Sequence, residues 1–170
     1  MPAVLVKSAA DSSAISHDFL EVYGALKALL EEPAPSMPEV EAKFSNTDPL
    51  RIHRLVMRGV QKRFARTFSS AFQSLPREEV LRVIGVSERT LQRAQEDDVL
   101  DPNASDRLLR LATVTEQAID VLGTQEAAEA WLAKPAIGLD RNRPIDLLET
   151  SEGTELVKTL LKRMDYEVYA

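Results

Sequence analysis

From Arg77 to Glu96 the chain reads REEVLRVIGVSERTLQRAQE, and this run constrains the fold more than any other. Val80 and Ile84 recur one helical turn apart and therefore share a face. Gly85 follows them, where a helix commonly ends in the left-handed conformation that glycine adopts without strain. Val86 plugs the corner, and Ser87 is a residue type whose side chain caps the free N–H groups of a new helix. Leu91 and Ala94 bring the second helix back onto the same core. Two short helices at a steep angle around a tight turn form a helix-turn-helix. The spacing predicts one helix from Pro76 to Gly85 and another from Glu88 to about Glu96. Leu81 stands where a small residue often allows closer approach, and an ordinary helical hairpin is the competing account.

The rest of the chain also repeats with helical period. Phe19, Val22, Leu26 and Leu29/Leu30 predict a helix after Ser16, beyond a frayed start. The segment EEPAPSMPEVEAKFSNTDP carries four prolines and reads as a linker. One long helix is predicted from Leu50 to Gln73, with Ile52, Leu55, Val56, Val60, Phe64, Phe68 and Phe72 as its apolar stripe. Arg51, Arg54, Arg58, Lys62 and Arg66 lie mostly off that stripe, either as a solvated face or as phosphate contacts. A turn at Asp101-Pro102 precedes a helix from Ala104 to Leu122, closed by Gly123. Thr124 caps a short helix containing Trp131 and Leu132, which read as core together with Ile145. Ile137–Arg143 reads as a loop and Pro144–Leu148 as one helical turn. Ser151 opens a last helix with Leu156, Val157, Leu160, Leu161 and Met164 facing inward. No stretch alternates as a strand would. The fold class is all-α, divided into an arm and linker over 1–47, a helix-turn-helix domain over 48–115 and a small helical domain over 116–170.

Charge follows the same division. Residues 1–47 carry a net of −4, residues 48–110 a net of +3 and residues 111–170 a net of −5. A polyanion would meet the arginine-rich middle. The chain has no cysteine, so disulfides, thiolate metal sites and cysteine nucleophiles are excluded. His17 and His53 read as structural, and no metal or cofactor is expected. No apolar run approaches the roughly 20 residues that span a bilayer, and the start is too short and polar for a signal peptide. Cytoplasmic residence is the expectation.

If the second helix of the motif enters a major groove, its early outward residues reach the base edges. These are Ser87, Glu88, Arg89, Gln92 and Arg93. Arginine offers guanine a bidentate fork and glutamine does the same for adenine, while Ser87 or Thr90 suits a phosphate. Arg89 and Arg93 lie four apart on one face. A single unit of this kind binds weakly, so a homodimer on palindromic operator DNA is expected.

With these residues in view, the chain resembles an antitoxin of the Xre/MbcA/ParS type, the partner of a Res-domain toxin. The resemblance covers about Leu75 to Ala170. It is carried by IGVSERTLQRA, by SDRLLRLATV, by AAEAWLAKPAIGLDRNRPIDLLET and by the terminal RMDYEVYA. It implies a partner that resembles ADP-ribosyltransferases and consumes NAD, an antitoxin C-terminal segment that blocks that partner's cofactor entrance, and repression of the antitoxin's own operon. The toxin-binding residues so implied are Arg141, Arg143, Asp146, Tyr166, Tyr169 and Ala170. Two tyrosines three apart are also the kind of rigid amphipathic anchor that dominates interfaces. Asp146 has a competing role as the partner of Arg143.

A free-standing transcription regulator, with a ligand- or protein-sensing C-terminal domain, stays open as the alternative. Enzymatic activity is not expected. The six glycines are scattered singly, and neither an HExxH motif nor a serine elbow occurs.

Overall fold

A computed structural model of the chain describes residues 15–31 and 49–169. The frayed start, most of the proline-rich linker and Ala170 lie outside the described residues, as does the side chain of Tyr169. Among the described residues the chain is all-α, with nine α-helices, one 3-10 turn and no strand.

Helix α1 (His17–Glu31) buries Phe19, Val22 and Leu26, the positions that recur at helical spacing. The Phe19 ring lies 5.6 Å from Phe68 and 6.0 Å from Phe72, so α1 is seated in the aromatic centre of the core. The Tyr23 hydroxyl on α1 also donates to the Glu116 carboxylate.

The single helix predicted over 50–73 is two helices, α2 (Pro49–Arg58) and α3 (Lys62–Ala71). They part at Gly59, whose φ of 87° is left-handed. A crossing strand of chain forces the break. Lys62 N–H donates to the Asp98 carbonyl and Leu100 N–H to the Val60 carbonyl, both at 2.8 Å. A Cβ at position 59 would stand 2.5 Å from the Leu100 carbonyl oxygen. Leu55, Val60, Phe68 and Phe72 are buried on both sides of the kink. The apolar period therefore runs through the break and conceals it.

Helix α4 (Arg77–Ile84) ends at Gly85 with φ 84°, the left-handed cap that the sequence predicts. Helix α5 (Glu88–Gln92) is capped by Ser87 but stops four residues before Glu96. Helix α6 (Pro102–Leu122) starts two residues before Ala104, with Pro102 in its first turn and Asp101 accepting from the Ala104 N–H at 3.0 Å. Its buried residues, from Ala104 through Leu108, Leu111 and Thr115 to Ile119, run nearly its whole length. It packs on α2 and α4, and also on α7 (Gln125–Ala133) and α9 (Ser151–Tyr169).

Thr124 caps α7, and Leu132 is fully buried there while Trp131 is half-buried against the core. The loop predicted after it contains a 3-10 turn over Ile137–Leu139, and α8 (Pro144–Leu147) follows. On α9 the inward face is set by Val157 and Leu161. Leu156 was expected to face inward but is 59% exposed. Each residue turns an α-helix by about 100°, which carries Leu156 off the line through Val157.

Candidate functional site

The first surface is the outer side of α5. Behind it, α4 buries Val80, Leu81, Val83 and Ile84, and α5 buries Leu91. Leu81, the residue that departs from the motif, is accommodated in the core. The turn between the helices is closed by Gly85 N–H and Val86 N–H, which donate to the Leu81 carbonyl at 2.9 and 3.0 Å. Ser87 Oγ accepts from the Thr90 N–H at 3.1 Å and lies 2.8 Å from the Thr90 hydroxyl. The cap therefore engages two of the residues expected to touch nucleic acid.

Ser87, Arg89, Thr90, Gln92 and Arg93 are exposed, whereas Glu88, expected to be exposed with them, is not. Glu88 is half-buried, and Arg77 Nε pairs with its carboxylate at 3.0 Å. That pairing draws a negative charge back from a surface that would face phosphates. Beyond Gln92 the helix ends because Asp98 holds the chain in a turn. Its carboxylate accepts from Gln95 N–H at 3.2 Å, and its backbone carbonyl from Lys62 N–H. Arg66 donates to the Leu91 carbonyl, one of the groups a helix end leaves unsatisfied. The basic face predicted for 50–73 is thus divided. Arg66 and Lys62 serve the fold, Lys62 also pairing with Asp98 at 3.4 Å, whereas Arg54 and Arg58 are exposed.

The second surface lies around α8. Arg143 is half-buried, pairs with Glu79 on α4 and stands 3.7 Å from Asp146. The Asp146 carboxylate accepts from Arg82 on α4 at 2.6 Å, and Arg82 also pairs with Glu149. The hydrogen bond that Arg82 donates to Asp146 holds its guanidinium above the ordinary pKa, and the charges of Glu149 and Asp146 act in the same direction. Arg143 and Asp146 are therefore brought together, against the first helix of the helix-turn-helix. Arg141 is exposed in the preceding loop with φ 61°. Tyr166 is 77% exposed on α9. Tyr169's side chain and Ala170 lie outside the described residues.

Between the two surfaces runs a buried polar tie that sequence reasoning did not find. Glu129 on α7 is fully buried, and its carboxylate accepts from three consecutive backbone N–H groups. These belong to Gln73 (2.9 Å), Ser74 and Leu75 (3.2 Å), in the turn between α3 and α4. Gln125 Nε2 donates to Glu129 at 2.6 Å and to the Ala71 carbonyl at 2.9 Å. Gln125 Oε1 accepts from the N–H and hydroxyl of Ser16 at 2.9 and 2.8 Å. Every oxygen in this cluster has a donor, which is the condition for burying a carboxylate. The separation of 54 to 56 residues leaves no local signal of it in the sequence.

Comparison with known proteins follows the same two surfaces. Residues 51–112 match the family described as the antitoxin Xre-like helix-turn-helix domain. Residues 117–166 match the one described as the antitoxin Xre/MbcA/ParS C-terminal toxin-binding domain. The chain is 33% identical over 99 residues to a Yersinia enterocolitica protein named antitoxin Xre, a match covering 57% of this chain and 67% of that protein. It is 38% identical over 74 residues to a Pseudomonas putida protein of the same name, covering 43% of this chain and 46% of that one. Helix α1 precedes both matched stretches.

Proposed function

The chain belongs to the Xre antitoxin family, and we propose that it neutralises a Res-domain, NAD-consuming toxin and represses its own operon. The observation that carries this reading is the succession of the two matched domains, a helix-turn-helix and a toxin-binding domain, along one helical body. In this reading the division of the chain is 1–47, 48–115 and 116–170, with α6 running through the second boundary as the shared wall.

On the nucleic-acid side, α5 enters the major groove of a palindromic operator as part of a homodimer. Arg89, Gln92 and Arg93 read bases, and Ser87 and Thr90 hold backbone phosphate. Exposure of all five, and the withdrawal of Glu88 by Arg77, support that role. On the partner side, Arg141, Arg143, Asp146 and Tyr166 contact the toxin while Tyr169 and Ala170 occlude its active site. The exposed Tyr166 ring supports this, as a large amphipathic anchor at the end of α9. Both partners place the protein in the cytoplasm. No described helix is long and apolar enough to cross a membrane.

Two assays test the proposal. The full chain should retard DNA from its own promoter in a gel and should form a stable complex with the neighbouring toxin gene's product on size exclusion. Retardation without complex formation would point to a free-standing regulator.

A further inference from the structure

The toxin-binding reading leaves unassigned the most exposed large apolar residue of the described chain. Ile137 is 91% exposed. Single apolar residues on a surface are ordinary, but this one is held in place by its own loop. Its loop closes on itself: Ala136 N–H donates to the Asn142 carbonyl at 3.1 Å and Arg141 N–H to the Ala136 carbonyl at 3.0 Å. Asn142 reinforces it through N–H and side-chain bonds to the Leu139 carbonyl at 3.0 and 2.9 Å. Leu139 is buried beneath, and Gly138 lies so close to α9 that a Cβ there would come within 2.8 Å of Leu160 Cδ1.

Asp140 and Arg141 are consecutive non-glycine residues with positive φ, 52° and 61°. Asp is among the residues that adopt such backbone readily, whereas Arg141 adopts it at some cost. The loop's own hydrogen bonds hold Ile137 outward, on a β-branched side chain with little rotamer freedom left to lose.

We propose that Ile137 is a preformed knob that enters an apolar socket on the toxin surface, with Leu156 completing the contact. This rests on the toxin-binding reading and deepens it. Residues 137 and 156 both fall inside the matched toxin-binding stretch. Within that stretch the exposed large apolar side chains among the described residues are Ile137, Leu156 and Tyr166. Leu156 precedes by one helical turn the Leu160 on which the loop rests. Tyr166 lies about 15 Å along the axis of α9 from Leu156 and about 80° around it, at 1.5 Å and 100° per residue. The knob, Leu156 and the tail therefore give the toxin a contact of several points.

The test uses the full chain and the catalytically inactivated product of the neighbouring toxin gene. Their affinity is measured by interferometry for the unaltered chain, Ile137→Ala, Ile137→Glu and Leu156→Glu, with light scattering of each chain alone. Ile137→Ala should raise Kd by about tenfold or more, chiefly through faster dissociation, as loss of a central interface anchor does. Its melting temperature should move by no more than about 1 °C, since the residue is 91% exposed. Toxin binding within about twofold of the unaltered chain in both Ile137 variants overturns the knob and leaves the toxin-binding reading intact. So does a chain whose own mass falls on Ile137→Glu while toxin Kd holds, because the occupant is then a second copy. If the unaltered chain binds no toxin, the parent reading fails and the knob fails with it.

Discussion

Arg82 on α4 donates to Asp146 on α8 at 2.6 Å, and three residues earlier on each side Glu79 pairs with Arg143. The two pairs run in opposite senses across the same seam, with Arg143 standing just before α8, so each side contributes one cation and one anion. Two residues proposed for toxin contact are thus engaged by the helix that precedes α5, the proposed reading helix.

The seam's contribution to stability is small. Arg82 and Asp146 are 48% and 41% exposed, and exposed pairs are worth about 0–1 kcal/mol. Arg82→Ala should therefore lower unfolding free energy by under about 1 kcal/mol in a urea titration. A loss of several kcal/mol would show that the seam is a principal support of the fold.

Glu129 carries far more. Truncation to alanine strands the N–H groups of Gln73, Ser74 and Leu75 and the Gln125 amide. Glu129→Ala should cost about 3–5 kcal/mol, the range for removing one partner of a buried charged cluster. Glu129→Gln retains an acceptor and should cost less. Equal stability of both variants and the unaltered chain would remove the tie from the account.

Gly59 is the third point of rigidity. Gly59→Ala forces a Cβ into a left-handed residue and against the Leu100 carbonyl. The expected loss is about 2 kcal/mol or more, read from the same titration. An unchanged midpoint would mean that the α2–α3 corner opens freely.

Local signals were legible where one residue settles a local conformation. Gly85, Ser87, Gly123 and Thr124 end or begin helices as the sequence predicts, because a cap depends on two or three neighbouring residues. Gly59 was not legible. Its apolar neighbours keep one period across the kink, and the cause lies 41 residues away at Leu100. The early end of α5 has the same kind of origin, since Asp98 turns the chain by bonding Gln95 and Lys62. For the site, the exposed α5 residues were readable from helical spacing. The partners of Arg143 and Asp146 on α4 were not, because surface ion pairs across a fold leave no periodicity.

Nucleic-acid binding should depend on Arg89 and Arg93 and not on the seam, Glu129 or Gly59. Replacing both with alanine should abolish promoter retardation while leaving toxin binding unchanged, and unchanged retardation would exclude α5 as the reading helix. Retardation by the unaltered chain should weaken steeply between about 50 and 200 mM salt, as release of counterions from phosphate requires. A flat titration would contradict docking by charge.

The most direct measurement is survival of cells that express the neighbouring toxin together with this chain. The full chain and the Arg89→Ala/Arg93→Ala variant should both restore growth, and a chain lacking its last five residues should not. Continued arrest with the full chain present, at protein levels confirmed by blotting, would contradict the antitoxin account.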